Sequence, residues 1–276
     1  MGTESEEDIK SGLSKREALA LTRLAGRNET IVTIDDIESV LGCSRTAAKK
    51  IASNLEDKKW LDRLKRGTYL IVPLAAGERG EYTEHEYVIA SHLAEPMYLS
   101  YWTALNYHGL TEQVPTTVFA ATTGRVPDRE IHGVTYRFVT VTDGKFFGHE
   151  PVSIRSQTVD VAAREKALVD CADHPEHCGG IVELAKALDG AADLDTERLV
   201  DYVLRLGNGA AVKRIVYLAD TLGVELPQRD ELEAGFTSGY SKLDPTRGDD
   251  GTHSSEYRLL LNVSTDEIET AGGRFR

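Results

Sequence analysis

The thirteen residues after Ser44 constrain this chain most. Ala48, Ile51, Ala52 and Leu55 fall at i, i+3, i+4 and i+7, so a helix over 45–57 has a single apolar stripe. Ser44 is its N-cap candidate, and the opposite face carries Arg45, Thr46, Lys49, Lys50 and Ser53. A helix of this kind buries one side and offers hydrogen-bond donors on the other. Next come Trp60–Leu64, a turn at Lys65-Arg66-Gly67, and Thr68–Val72, which read as a hairpin. Gly67 supplies the positive φ that its turn needs, and Pro73 ends the second strand.

The segments before Ser44 fit the same plan. Ser14 precedes a helix to about Ala25 with Ala18, Leu21, Leu24 and Ala25 on one face, and Gly26 stops it. Thr30–Ile34 is short and β-branched. Asp35 or Asp36 starts a second helix with Ile37, Val40 and Leu41 inward, ended by Gly42. The order is helix, short strand, helix, four-residue turn, helix, hairpin, the layout of a winged helix-turn-helix. Between Leu41 and Leu70, eight basic residues face three acidic ones, a local charge of +5 in a chain whose net charge is −13, leaving −18 for the rest. A basic island in an acidic protein is a localised electrostatic footprint for a polyanion, and the overall charge argues against uniform coating of nucleic acid. The expected contacts are Ser44 and the first helical amides on a phosphate, and Arg45, Thr46, Lys49 and Lys50 on base edges. Arg63, Lys65 and Arg66 are expected on the backbone or minor groove.

A length of 276 residues suits about two domains, and 41% hydrophobic residues suit real cores. The expected class is α+β: residues 1–14 disordered, 15–75 a winged helix-turn-helix, 82–276 a mixed α/β domain, with Pro73, Gly77 and Gly80 marking a linker. In the second region the sequence predicts helices near 83–93, 100–108, 164–172, 181–188, 196–206 and 210–222. It predicts strands near 114–122, 134–141, 152–161 and 257–263. Three scattered cysteines do not make a disulfide framework. The acidic N-terminus does not resemble a signal peptide, and no run of about 18 apolar residues exists, so a cytoplasmic protein without membrane contact is expected.

The sequence has no P-loop, G-x-S-x-G or H-E-x-x-H motif, so no catalytic residue and no cofactor is assigned. Asp160, Glu165 and Lys166 contain the residue types of a metal-dependent nuclease, but a charged helix start explains them better. Cys171, His174, His177 and Cys178 place four zinc-ligating side chains within eight residues. That spacing is tight, and Pro175 forces a turn inside it, so no metal is assigned there. Tyr98, Tyr101, Trp102, Tyr107, Phe146 and Phe147 read as core rather than a stacking platform. His108 reads as a hydrogen-bonded histidine.

Several segments resemble the AbiEi-type antitoxins, a family of transcriptional regulators of viral defence systems. They are Arg66-Gly67-Thr68-Tyr69, the run from Tyr98 to Gln113, Tyr136-Arg137-Phe138 with Phe146-Phe147-Gly148, Arg164–Asp170, and Pro175–Gly180. The resemblance spans about 15–265 and is most specific in the central run. His174 does not look like part of the pattern. The resemblance implies a promoter-binding winged helix and a C-terminal antitoxin domain, with repression of the chain's own operon at inverted repeats. A palindromic site would take two copies of the chain. The implied functional partner is a nucleotidyltransferase-like toxin countered without a stable complex. Rival readings are a stand-alone regulator, a nuclease targeted by its winged helix, and an interaction protein whose acidic second domain binds a toxin directly.

Overall fold

Ser14, Thr33 and Ser44 each hold extended backbone directly before a helix, and each side chain accepts a hydrogen bond from an amide of the first turn. These caps fix helices α1 (Lys15–Ala25), α2 (Ile34–Leu41) and α3 (Arg45–Asp57). At α1 and α2 the cap is reciprocal, through Glu17 and Asp36. The N-cap of α2 is therefore Thr33, two or three residues before the aspartates expected to begin the helix. Only Gly42, Cys43 and Ser44 separate α2 from α3, with Gly42 left-handed at φ 58°. The connection is one residue shorter than expected.

The computed structural model describes residues 10–27, 29–76, 83–114, 116–155 and 157–273. The chain divides into two compact units, Met1–Glu95 with Ser153–Thr158, and Pro96–Val152 with Val159–Arg276.

In the first unit, strands β1 (Ile31–Thr33), β2 (Leu61–Lys65) and β3 (Thr68–Ile71) form an antiparallel sheet in the order β1-β3-β2. Arg66-Gly67 is the β2–β3 turn, with Gly67 at φ 79°. A bulge between Arg63 and Lys65 shifts the register. The core joins Ala20 and Leu24 of α1, Ile34, Ile37 and Val40 of α2, and Ala48, Ala52 and Leu55 of α3 to Val32, Leu61 and Tyr69. The buried face of α1 runs through Glu17, Ala20 and Leu24, whereas Ala25, expected inward, is exposed. The capping glutamate takes a place on that face and rotates the stripe.

Residues 10–14, expected to be disordered, are tied down. Trp60 Nε1 donates to the Ser11 carbonyl at 2.8 Å, Lys10 Nζ donates to the Pro73 carbonyl at 2.6 Å, and Leu13 packs on the core. Residues 1–9 and the expected linker glycines Gly77 and Gly80 lie outside the described residues. Helix α4 (Glu86–Leu93) groups with this first unit, although the sequence reading begins the second domain near Tyr82. Five of its eight residues are buried, and Arg155 pairs with the buried Glu84 just before it at 2.8 Å.

The second unit is built on a mixed six-stranded sheet. Its strands are β4 (Met97–Leu99), β5 (Thr117–Thr122), β6 (Arg129–Ile131), β7 (Val134–Thr140), β8 (His149–Ile154) and β9 (Gln157–Ala162), in the order β6-β7-β5-β4-β9-β8. Strands β5 and β7 pair in parallel over six residues, and β4 is parallel to β9 through Leu99 and Val161. The expected strand 152–161 is thus two strands, and Asp143–Lys145 is a 3₁₀ turn. Five helices follow the predicted positions: α5 (Tyr101–Tyr107), α6 (Arg164–Asp173), α7 (Ile181–Asp189), α8 (Thr196–Leu206) and α9 (Gly209–Leu222). The tail adds α10 (Arg229–Ala234), α11 (Thr265–Gly272) and a small sheet of β10 (Ser241–Lys242), β12 (Leu259–Leu261) and β11 (Thr252–Ser254). No described helix is long and apolar enough to cross a membrane.

Buried Arg214 of α9 joins the tail to the body. Its guanidinium donates to the carbonyls of Ala172 at 2.8 Å, Lys242 at 3.0 Å and Leu243 at 3.1 Å. The N-terminus of α7 has no side-chain cap of its own. Buried Asp244 accepts the Ile181 amide there at 3.0 Å. Gly180 sits at φ 93°, and a Cβ on it would lie 2.7 Å from Asp244 Oδ2, so only glycine fits.

Candidate nucleic-acid interface

Helix α3 buries Ala48, Ile51, Ala52 and Leu55 and exposes Ser44, Arg45, Thr46, Lys49 and Lys50. Its axis is set from behind by Glu17 of α1. That carboxylate is buried, yet it accepts from Lys58 Nζ at 2.6 Å, Asn54 Nδ2 at 3.3 Å and the Ser14 amide at 2.7 Å. Burial alone would raise the Glu17 carboxyl, but these hydrogen bonds outweigh it and hold it at about 2. Lys58, although inside the basic window, is therefore spent on positioning.

The predicted contact residues fall into three groups. Lys49 and Lys50 are exposed, as are Arg63 and Arg66 on the hairpin, and among the described residues none of the four is in an ion pair. Arg45 is exposed but pairs with Asp35 and lies 3.9 Å from Glu38, two acids on α2 that the sequence reading did not connect to it. Their i, i+3 spacing was a usable signal, because it puts both on one face of α2. Lys65 is half-buried, and its Nζ donates to the Leu93 carbonyl at 3.4 Å, at the end of α4 where a cation is favoured. The Ser44 hydroxyl accepts the Ala47 amide at 3.4 Å, leaving the Arg45 and Thr46 amides as helix-end donors.

In the second unit the nuclease-type residues have separate partners. Lys166 is fully buried and bonds to Asp170 and, at 3.0 Å, to the Tyr98 hydroxyl. Glu165 accepts the Asp195 amide at 3.3 Å, and Asp160 lies 3.8 Å from His149. Asp170 also accepts from Ser100 Oγ at 2.6 Å and the Tyr98 hydroxyl at 3.1 Å. Ser100 does stand at the N-cap of α5, but its hydroxyl is committed to Asp170 rather than to the helix. Burial and the nearby Asp170 carboxylate push the Tyr98 phenol far up.

The cysteine–histidine cluster separates into two pairs. Cys171 and Cys178 are buried beside one another, and burial with their mutual hydrogen bond pushes the Cys171 thiol up. His174 and His177 turn away from the thiols and meet Glu176, a residue the sequence reading left out of the set. Burial lowers the His177 imidazole despite the opposing Glu176 charge.

Comparison with known proteins reaches both units. No curated protein sequence matches the chain. Among solved structures, the RV2827C protein from Mycobacterium tuberculosis is similar over 98% of this chain and 99% of that chain, with a TM-score of 0.65 and 18% identity. At that identity the likeness is one of fold. The family model described as a transcriptional regulator, AbiEi antitoxin, matches residues 19–72, from α1 through the end of the hairpin. That match lies within the first unit and is to the family that the sequence resembles.

Proposed function

We propose that residues 15–75 form a winged helix-turn-helix that binds double-stranded DNA, and that the protein is a repressor of its own operon. The observation that carries this reading is the exposed face of α3: Arg45, Thr46, Lys49 and Lys50 stand opposite a fully buried stripe, beside a hairpin bearing Arg63 and Arg66. A helix of this size fills a major groove about 12 Å wide, and a hairpin tip beside it meets the flanking backbone or minor groove. The family match over the same residues supports a regulator. In this reading Lys49 and Lys50 are the principal lysines of the recognition helix, and Arg66 is the principal wing contact. Arg45 is held ready by Asp35. An exposed ion pair contributes only about 0.2–1 kcal/mol, less than the roughly 1–3 kcal/mol of a good base contact, so Arg45 can exchange one for the other.

By the same reading the protein is the antitoxin of a pair whose toxin is nucleotidyltransferase-like. Two copies of the chain occupy an inverted repeat, neutralisation needs no stable complex, and no catalytic step belongs to the antitoxin. The test is a gel-shift titration with the DNA just upstream of the gene, against scrambled competitor, at two salt concentrations. The expected result is a specific complex weakened by Lys49→Ala and Arg45→Ala, the latter by about 1–3 kcal/mol with relaxed sequence choice. Equal affinity for cognate and scrambled DNA at both salts would remove the regulator reading.

A further inference from the structure

The turn after α6 carries a donor set that DNA binding does not use. One ligand atom from each of His174, Glu176 and His177 lies within 4.8 Å of the other two. His174 Nδ1 is 3.0 Å from Glu176 Oε1. The two imidazole rings face one another at 28°, with centroids 5.6 Å apart. His177 Nδ1 is buried and has no hydrogen-bond partner. An imidazole nitrogen shielded from water and left unpaired is unfavourable, and coordination relieves it.

The surroundings match what a bound ion needs. The second nitrogen of His174, Nε2, faces Asp173 Oδ2 at 3.6 Å. Asp173 is itself buried and held by Lys145 Nζ at 2.6 Å and by Asn208. At 3.6 Å this carboxylate is a counter-charge beside the ring rather than a hydrogen-bond partner; a carboxylate bonded to the far nitrogen is what orients a ligating histidine. Tyr101 packs edge-on against both rings, at 6.3 and 5.2 Å, and Phe119 packs on His177 at 5.4 Å. Arg137 faces His177 as an opposing charge, but its Nε is paired with Asp128 at 3.0 Å.

We propose that His174, Glu176 and His177 bind one divalent transition-metal ion of the zinc class, through two imidazole nitrogens and one carboxylate oxygen. Imidazole donors favour zinc, cobalt or nickel over magnesium and calcium, which take oxygen ligands. Zinc–nitrogen distances near 2.1 Å put tetrahedral ligand atoms about 3.4 Å apart. The triad closes to that spacing by side-chain rotation, since Glu176 is exposed and His174 half-exposed. Three protein ligands leave a fourth position for water or an external donor. The buried thiols of Cys171 and Cys178 take no part.

The test is titration of metal-stripped, tag-free full-length protein with Zn²⁺ by calorimetry, and with Co²⁺ followed by visible absorption. The expected result is one ion per chain, cobalt d–d bands without a thiolate charge-transfer band, and affinity lowered about tenfold or more by Glu176→Gln and by His174→Ala. Glu176 is exposed, so its variant retains the fold. Absence of saturable binding, a thiolate band, or affinity unchanged in both variants would each overturn the proposal. DNA affinity is a separate readout, so failure here leaves the regulator reading intact.

Discussion

Lys49 and Lys166 occupy similar settings in the sequence, each in the first half of a helix and followed within a few residues by alanine or aliphatic side chains. Lys49 is exposed on α3, and Lys166 has no exposure on α6. Helix α3 has one apolar stripe, so its charges fall on the open side. Helix α6 is buried from Glu165 to Asp173 and has no open side. A charge there survives only by pairing, and Lys166 does so with Asp170 one turn on, under the Tyr98 and Phe147 rings at 5.4 and 4.7 Å. The first arrangement leaves charge available to a partner, and the second uses it to fix a core.

The sharpest way to break this comparison is Asp170→Ala. Lys166 would be left buried without its counter-ion, which destabilises by about 3–5 kcal/mol. Urea unfolding of the second unit should show that loss, whereas Lys166→Met with Asp170→Leu should recover most of it. A loss below about 1 kcal/mol for the single variant would mean that water or another group reaches Lys166, and the contrast with α3 would fail.

Glu17, like Glu84, is a buried carboxylate inside the first unit, and it orients α3. Its pKa is depressed from 4.5 to about 2, so its contribution to stability is fully present above about pH 4.5 and is lost as the pH falls through 2. Glu17→Gln should lower stability at neutral pH by about 1–3 kcal/mol, because Lys58 loses its partner, and should flatten the pH dependence across that window. Thermal melts of the two proteins between pH 2 and 5 make the check. Parallel curves would place the acid sensitivity elsewhere.

Arg66 tests the exposed side. Arg66→Ala should leave the melting temperature unchanged and reduce the slope of log affinity against log salt by about one, with equal loss on cognate and scrambled DNA. Lys65→Ala should behave differently, because its ammonium is held against the Leu93 carbonyl. A larger salt effect from Lys65 than from Arg66 would reverse that assignment.

The helices that a cap and a stripe mark together were legible. Ser14, Ser44 and the 196–206 and 210–222 patterns lead to α1, α3, α8 and α9 almost to the residue. Short strands were not: β4, β6, β10 and β11 have two or three residues each, too few for an alternation to register. The hairpin β8–β9 read as one strand because the residues on both sides of its turn are β-branched. At the candidate interface the exposed basic face was legible from periodicity alone. The partner of Lys65 was not, because it comes from α4 and such a contact depends on packing, while the acids that meet Arg45 left only their shared face of α2 as a signal. The turn after α6 was half legible. Two histidines and two cysteines stood out, but the choice of Glu176 over the thiols follows from which side of the turn is buried.

Asp35→Ala carries the smallest effect and separates two accounts of Arg45. If Asp35 merely neutralises the arginine, its removal frees a cation and strengthens binding to all DNA alike. If Asp35 also orients the guanidinium, removal adds conformational freedom, and cognate affinity gains less than scrambled affinity. The pair is exposed, with side-chain exposures of 57% and 71%, so the effect on folding stability should stay below about 1 kcal/mol in either case. We expect the second pattern, because Glu38 lies on the same face of α2 at 3.9 Å and the two acids bracket one guanidinium position. Competition gel shifts on the two DNAs would show it as a drop in the specificity ratio with little change in cognate affinity. A uniform gain on both DNAs would reduce Asp35 to a counter-charge and leave the orientation of Arg45 to the DNA itself.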